Sequence, residues 1–285
     1  MAGMALLRFC LVGLISAAAF ASAGFIDYSD SFAPDSDLWE RWQAHDATST
    51  RTVDFAAWDG LLERYLEVDE GGIARFDYGA VTSADSGILD ALIEEWGNVP
   101  VSSLSREQQM VYWINLYNAL TVQVVVEHYP VDSITNIDIS GFFSNGPWDA
   151  ELIEVEGTAL TLNDIEHRIL RPIWNDPRLH YALNCASIGC PNLLGRAWRA
   201  ENIGVDLDAA ARTYVNNPRG FRIDADGNAI VSKIYAWFVE DFGGDEAGVV
   251  AHLKTYAEGG TAAALESLES LSKSEYDWSL NAPLR

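Results

Sequence analysis

The stretch at residues 111–126 constrains the fold more than any other part of the sequence. Its side chains are apolar on nearly every face of a helix, and Ser105 and Gln108 before it have the spacing of a capping box. His128-Tyr129-Pro130 ends the pattern. A surface helix is apolar on one side only, so a helix that is apolar all round must be enclosed by other elements. We therefore predict a central, buried helix here.

Two amide side chains interrupt the apolar surface of this helix. Asn115 and Asn118 are three positions apart and therefore share a face. A buried amide needs hydrogen-bond partners, so the pair consists either of structural clamps or of site residues. Taken alone, the residues favour the structural interpretation, because most buried polar side chains are structural.

The rest of the chain predicts a helix-rich single domain of the α+β class with a small antiparallel sheet. Asp226-Gly227, between two short apolar runs, predicts a hairpin. We place the domain at residues 52–275, after a polar, loosely packed arm at 24–51 and before a C-terminal tail at 276–285. Helical spacing recurs at 55–66, 88–96, 162–171, 206–216, 232–242, 245–256 and 261–271, and strands are predicted at 73–78, 180–183, 221–223 and 229–231.

The first 23 residues have the features of a signal peptide. Arg8 precedes an apolar run at 9–20, and Ala21-Ser22-Ala23 offers small residues where a signal peptidase cuts. The run is too short to span a bilayer comfortably, and Cys10 stands at its start rather than at the cleavage point of a lipid-anchored protein. We expect a periplasmic or secreted protein without a membrane anchor.

The formal net charge of −24 limits the partners of the chain. Such an acidic surface repels the phosphate backbone, so nucleic acid is not expected as a partner. Anionic lipid is disfavoured for the same reason. The acidic residues are dispersed along the chain, which indicates a solvated surface rather than an interaction tail.

Outside the leader, the only cysteines are Cys185 and Cys190, in a turn after the strand predicted at 180–183. A cysteine in a turn of small residues is accessible to a substrate. In an oxidising compartment the same pair is a candidate for a local disulfide, and the residues alone leave both possibilities open. A zinc site that adds His167 and His180 is disfavoured, because no second cysteine pair exists.

His167 lies off the predicted core face of its helix. At about 100° per residue, Leu162, Ile165, Ile169 and Ile173 form one stripe and His167 falls nearly opposite. His167 therefore faces either solvent or another layer that contains a site. The neighbouring Glu166 points about 100° away and is not expected to orient the imidazole.

Four blocks of sequence, in this order, resemble domain-of-unknown-function family 547. The blocks are residues 112–120 (YWINLYNAL), 164–171 (DIEHRILR), 179–187 (LHYALNCAS) with Cys190-Pro191, and 235–238 (YAWF) with Asp241-Phe242. The resemblance implies a rearranged papain-like cysteine-peptidase fold. It also implies that Cys185 is a nucleophile, His167 its base and Asn115 the polar partner of that base, which is the arrangement that activates a thiol.

We therefore expect an exported, cysteine-dependent hydrolase or transferase of papain-like type. Its substrate would be a peptide, a small amide or a small thiol such as glutathione. The alternative is a non-catalytic module that binds peptides or thiols and carries a Cys185–Cys190 disulfide, and a third interpretation makes the cysteines a purely structural staple. No cofactor and no metal are expected.

Overall fold

A computed structural model describes residues 34–141 and 146–283, so the predicted signal peptide lies outside the described residues. Half of the chain is helical, with small sheets, which confirms the α+β class. The helices are α1 (Ala56–Tyr65), α2 (Ser83–Gly97), α3 (Arg106–His128), α4 (Arg171–Trp174), α5 (Ile203–Val215), α6 (Lys233–Trp237), α7 (Glu246–Tyr256) and α8 (Gly259–Glu266).

The described strands form three small sheets rather than the single sheet expected. Two are antiparallel pairs, β1 (Leu66–Val68) with β2 (Ala74–Phe76) and β3 (Ile153–Val155) with β4 (Thr158–Leu160). The third joins β5 (Phe221–Ile223) to β6 (Ala229–Ser232) as the predicted hairpin, with Gly227 at a φ of 85° in its turn. β7 (Lys273–Glu275) then pairs with β6 in parallel, which brings the end of the chain into the fold.

Helix α3 is the centre of the structure, as predicted. The Ser105 hydroxyl accepts a hydrogen bond from the Gln108 backbone N–H at 3.3 Å, so the cap is in place. Sixteen of its residues are buried, and a large core cluster surrounds it on all sides. The absence of a polar face on this helix therefore reflects the enclosure of its whole circumference.

A second, smaller core is built by α5 to α8 and the β5–β6–β7 sheet. It contains the rings of Tyr181, Tyr214 and Tyr235. The chain that leads into the cysteine turn passes between the two cores, because Tyr181 packs in the second core while Leu183 and Ala186 pack in the first. The turn is thus fixed from both sides.

Two local predictions were wrong. The strand expected at 180–183 is instead the end of a 3₁₀ helix, Pro177–Tyr181, because the Asp176 carboxylate accepts from the Arg178 backbone N–H and Pro177 presets a helical φ. The arm is not loosely packed around Trp42, which is buried with its ring centroid 5.1 Å from that of Trp113. Burial of one large aromatic ring holds this otherwise polar segment in place.

The helix that carries His167 contains a π-helical segment, Asp164–Leu170. Leu162, Ile165 and Ile169 of the predicted core stripe are fully buried, whereas Ile173 is half-buried and packs against the edge of the core. The i→i+5 bonding widens the turn, and π-helical turns occur frequently at functional sites. Glu166 and His167 are both buried. His167 therefore faces another layer of the protein and not solvent.

Candidate functional site

The cysteine turn is attached to the central helix by Asn118. Its Nδ2 donates to the Ala182 carbonyl at 2.9 Å, and its Oδ1 accepts from the Asn184 backbone N–H at 2.8 Å. Asn184 in turn donates to the Pro191 carbonyl at 2.7 Å and accepts from the Ala186 backbone N–H at 3.0 Å. These four bonds fix the backbone on both sides of Cys185. Ala186 has a φ of 58°, which is uncommon for a residue with a side chain.

The segment assigned to a C-terminal tail lies directly against this turn. The backbone N–H groups of Ile188 and Gly189 donate to the carbonyls of Ser279 and Asp277, each at 2.8 Å. The backbone N–H of Asn281 donates to the Ala186 carbonyl at 3.1 Å. The end of the chain is therefore part of the candidate site.

Three side chains contact the Cys185 sulfur. Both cysteines are free thiols; Cys185 is half-buried and Cys190 is buried, and their Sγ atoms are 2.7 Å apart. The Tyr276 hydroxyl is 3.0 Å from the Cys185 Sγ, and the Ser187 hydroxyl is 3.4 Å from it. The single Ser187 hydroxyl hydrogen is donated either to the Tyr276 hydroxyl, 2.9 Å away, or to the sulfur. A thiolate at Cys185 would find several donors arranged around it.

The pKa values of the two thiols are shifted in opposite directions. Burial acts to raise the pKa of Cys185, but hydrogen bonds from Cys190, Ser187 and Tyr276 outweigh burial and hold that pKa below its usual value. Burial, together with the hydrogen bond and charge of Cys185, raises the pKa of Cys190 well above its usual value. Burial also raises the pKa of Tyr276, so its hydroxyl keeps its proton and serves as a donor. As the pH rises, Cys185 is therefore the first of the two thiols to lose its proton.

His167 lies in a buried cluster of ionisable groups rather than in the set of donors around the sulfur. The Arg171 guanidinium donates to its Nδ1 at 3.0 Å, so a neutral His167 carries its hydrogen on Nε2. Its Nε2 is 4.0 Å from the Glu166 carboxylate. Burial lowers the pKa of His167 to about 4, which keeps the ring neutral at pH 7. The predicted role of His167 as the base for Cys185 stays a prediction.

Asn115 is held elsewhere in the core. Its Nδ2 donates to the carbonyls of Val111 at 2.8 Å and of Trp198 at 3.0 Å, which uses both amide hydrogens. Its Oδ1 accepts from the Trp198 backbone N–H at 3.0 Å. Asn115 thus clamps the chain at Trp198 to α3, as the structural interpretation predicted, and its amide hydrogens do not reach His167.

Comparison of the sequence with known protein families gives one match. Residues 101–215 match the model of the family described as Protein of unknown function, DUF547. This is the DUF547 family that the sequence motifs resemble. The chain matches no curated protein and no solved structure.

The DUF547 segment contains Asn115, His167 and Cys185, whereas Tyr276 lies beyond it. Sequence reasoning missed Tyr276 as a site residue because it is 91 positions from Cys185. Glu166 was not predicted to contact His167, because in a regular α-helix its side chain would point about 100° away from that residue. Tyr276 and Trp278 in the predicted tail were a signal, since large aromatic side chains are buried more often than a loose polar tail would allow.

The described residues contain neither a metal-binding cluster nor a membrane-spanning helix. Between 34 and 283, leaving out 142–145, no three His, Cys, Asp or Glu residues are placed to hold a metal ion. In that same part of the chain no helix is long and apolar enough to cross a bilayer.

Cys185 should react with iodoacetamide below the pH range of an ordinary thiol, whose pKa is about 8.5. Tyr276→Phe should move the labelling profile to higher pH, because it removes a donor that stabilises the thiolate while keeping the ring. Mass spectrometry of the labelled Cys185 peptide against pH measures both. Tyr256→Phe, on α7, is the matched control and should leave the profile in place. An unshifted labelling profile in Tyr276→Phe would contradict the role of the Tyr276 hydroxyl as a donor to the thiolate.

Proposed function

We propose that this protein is a cysteine-dependent thiol–disulfide oxidoreductase that reduces small disulfides, with Cys185 as the attacking thiol and Cys190 as the resolving thiol. The observation that carries the proposal is the pairing of a half-buried thiol of lowered pKa with a buried thiol of raised pKa in direct contact. An accessible thiolate attacks, and a protected thiol completes the reaction.

The reaction has two balanced steps. In the first, the Cys185 thiolate attacks one sulfur of a disulfide R–S–S–R, forms the mixed disulfide Cys185–S–S–R and expels one thiolate RS⁻. In the second, Cys190 loses its proton and attacks the Cys185 sulfur, which expels the second RS⁻. The protein dithiol is oxidised, the small disulfide is reduced, and the two protons lost by the cysteines are taken up by the two released thiolates.

The predicted signal peptide supports the proposal that this chemistry takes place in the periplasm or outside the cell. Small disulfides are available in an oxidising compartment, and a dithiol that cycles between two states can act on them there. The partner we propose is a low-molecular-weight thiol or its disulfide, in keeping with the small side chains of the turn around Cys185.

The test uses fully reduced protein and 2-hydroxyethyl disulfide, with released thiol measured over time. The wild-type protein should release two thiols per chain and end with a Cys185–Cys190 disulfide, identified by peptide mapping. Cys185→Ser should release none. Mild reductant should restore the starting state.

A bridge that resists mild reductant, with no released thiol in either redox state, would overturn this function. That outcome would instead support a non-catalytic module with a permanent Cys185–Cys190 disulfide. The same protein should then be tested for binding of a small thiol without turnover, by isothermal titration.

A second candidate is papain-like hydrolysis of a peptide or small amide at Cys185, with His167 and Asn115 in the roles that the DUF547 resemblance implies. The specific observation in its favour is that Cys185 is a half-buried free thiol whose hydrogen bonds hold its pKa below the usual value. Release of product from a chromogenic amide by the wild type but not by Cys185→Ser or His167→Ala would favour this function over exchange.

A further inference from the structure

We infer that Cys185 also reduces hydroperoxides, with the Tyr276 hydroxyl as the hydrogen donor to the departing oxygen and Cys190 as the thiol that resolves the oxidised cysteine. This activity uses the same two cysteines as the proposed function, but it goes beyond the reduction of disulfides and does not depend on it. It follows from a half-buried sulfur that contacts both a second thiol and a fixed hydroxyl group.

The Tyr276 hydroxyl directs a hydrogen at the Cys185 sulfur. The two groups are 3.0 Å apart, and an ionised sulfur can only accept a hydrogen bond. Burial raises the pKa of Tyr276 well above its usual value, so the hydroxyl retains its hydrogen at neutral pH. The Ser187 hydroxyl, 2.9 Å from that of Tyr276, can donate to it and so leave the Tyr276 hydrogen for the sulfur. A protonated donor therefore accompanies the thiolate.

The position of this donor is fixed by its neighbours. The Tyr276 ring packs against the rings of Trp278 and Trp237, with centroid distances of 4.6 Å and 4.9 Å. The carbonyl of the next residue, Asp277, accepts from the Gly189 backbone N–H at 2.8 Å, which joins this segment to the cysteine turn. A donor that is held in place before the reaction stabilises developing charge without the cost of reorganisation.

A hydroperoxide is an oxidant whose reduction needs such a donor. Its departing group is hydroxide or an alkoxide, which is far more basic than a thiolate or iodide and has to gain a hydrogen as it leaves. The reacting group consists of only two oxygen atoms, so a hydroxyl in contact with the sulfur is also close to the departing oxygen. Hydroperoxides are uncharged, and the formal net charge of −24 does not repel them. A thiolate of this kind beside a second thiol is also the arrangement in which a cysteine forms a sulfenic acid and is resolved.

The reaction balances in two steps. In the first, the Cys185 thiolate attacks the terminal oxygen of R–O–O–H, an S–O bond forms, the O–O bond breaks, and Cys185 becomes a sulfenic acid, Cys185–S–OH. The departing RO⁻ takes the Tyr276 hydrogen and becomes ROH, and solvent returns to the tyrosine the proton that Cys185 gave up on ionising. In the second step the Cys190 sulfur attacks the Cys185 sulfur, and the proton of Cys190 leaves with the hydroxide as water. The dithiol is oxidised to a disulfide, and the hydroperoxide is reduced to an alcohol and water.

The reactants of the second step are already in contact. The two Sγ atoms are 2.7 Å apart, and the Cys185 backbone N–H donates to the Cys190 Sγ at 2.8 Å. Burial, together with the hydrogen bond and charge of Cys185, raises the pKa of Cys190 and keeps it protonated. The resolving thiol therefore brings with it the proton that the departing hydroxide needs. A low-molecular-weight thiol returns the disulfide to the dithiol by exchange.

The experiment treats fully reduced protein with hydrogen peroxide in the absence of any other thiol. Wild type should lose both thiols and form the Cys185–Cys190 disulfide, identified by peptide mapping. In Cys190→Ser, Cys185 should stop at the sulfenic acid, which dimedone captures. Cys185→Ser should keep its Cys190 thiol.

The role of the donor is tested with Tyr276→Phe, which keeps the ring, in a Cys190→Ser background so that only the first step is observed. Rates with hydrogen peroxide and with iodoacetamide are compared at a pH where iodoacetamide labelling has reached its plateau, so that Cys185 is a thiolate in every protein. Tyr276→Phe should slow oxidation by hydrogen peroxide by about 100-fold, the lower end of what one donor to a developing oxyanion contributes. Labelling by iodoacetamide should not slow, because departing iodide needs no hydrogen. Tyr256→Phe is the matched control and should slow neither reaction.

Equal slowing of both reactions in Tyr276→Phe, or no slowing with hydrogen peroxide, overturns the inference. Wild-type Cys185 that hydrogen peroxide oxidises no faster than free cysteine thiolate overturns it as well, and the proposed function then stands or falls on 2-hydroxyethyl disulfide alone. Conversely, reduction of hydrogen peroxide without reduction of 2-hydroxyethyl disulfide supports the inference and removes the proposed function.

Discussion

Cys190→Ser is expected to convert the reaction with a small disulfide from complete oxidation into a stable mixed disulfide on Cys185. Cys185 is half-buried and keeps its Tyr276 and Ser187 donors in this variant, so the first step should proceed. The second step requires a thiol in contact with the Cys185 sulfur. In the described part of the chain the only other free thiol is Cys190, so the adduct should persist.

Intact-mass spectrometry and released thiol measure this directly. Wild type should release two thiols and lose its adduct, whereas Cys190→Ser should release one thiol and keep a single adduct. Peptide mapping should place that adduct on Cys185. Release of two thiols by Cys190→Ser would show that resolution does not need Cys190, and the resolving role would be lost.

Asn118→Ala should reduce both stability and the reactivity of Cys185, whereas Asn115→Ala should reduce stability alone. Each substitution removes a fully buried amide and leaves one backbone carbonyl and one backbone N–H on another segment without a partner. A stranded buried group costs about 1–3 kcal/mol, so the free energy of unfolding should fall by a similar amount in both. Only Asn118 holds the chain beside Cys185.

Denaturant unfolding and iodoacetamide labelling of the two variants separate these effects, and each variant serves as the control for the other. Asn118→Ala should lose much of the low-pH reactivity of Cys185, because the backbone that places its sulfur among the donors is released. The result that contradicts this prediction is a larger loss of reactivity in Asn115→Ala. That result would instead support Asn115 as the polar partner that the DUF547 resemblance implies.

The elements whose causes are local could be predicted from the amino-acid sequence alone. The apolar character of residues 111–126 required a central helix, and Ser105 and Gln108 marked its start, because periodicity and capping depend on neighbours within one or two turns. Asp226-Gly227 determined the β5–β6 hairpin for the same reason. The spacing of Leu162, Ile165 and Ile169 also identified a buried stripe correctly.

The surroundings of the Cys185 sulfur, in contrast, follow from contacts between distant segments of the folded chain. Tyr276 reaches it because β7 pairs with β6, and no local pattern encodes contact between residues 91 positions apart. The Arg171–Asp241 ion pair, which contacts His167 through Arg171 and His180 through Asp241, likewise joins residues 70 positions apart. Local preference cannot predict such contacts, because packing of distant segments overrides it. The acidity of a thiol is set by those segments rather than by its own position in the chain.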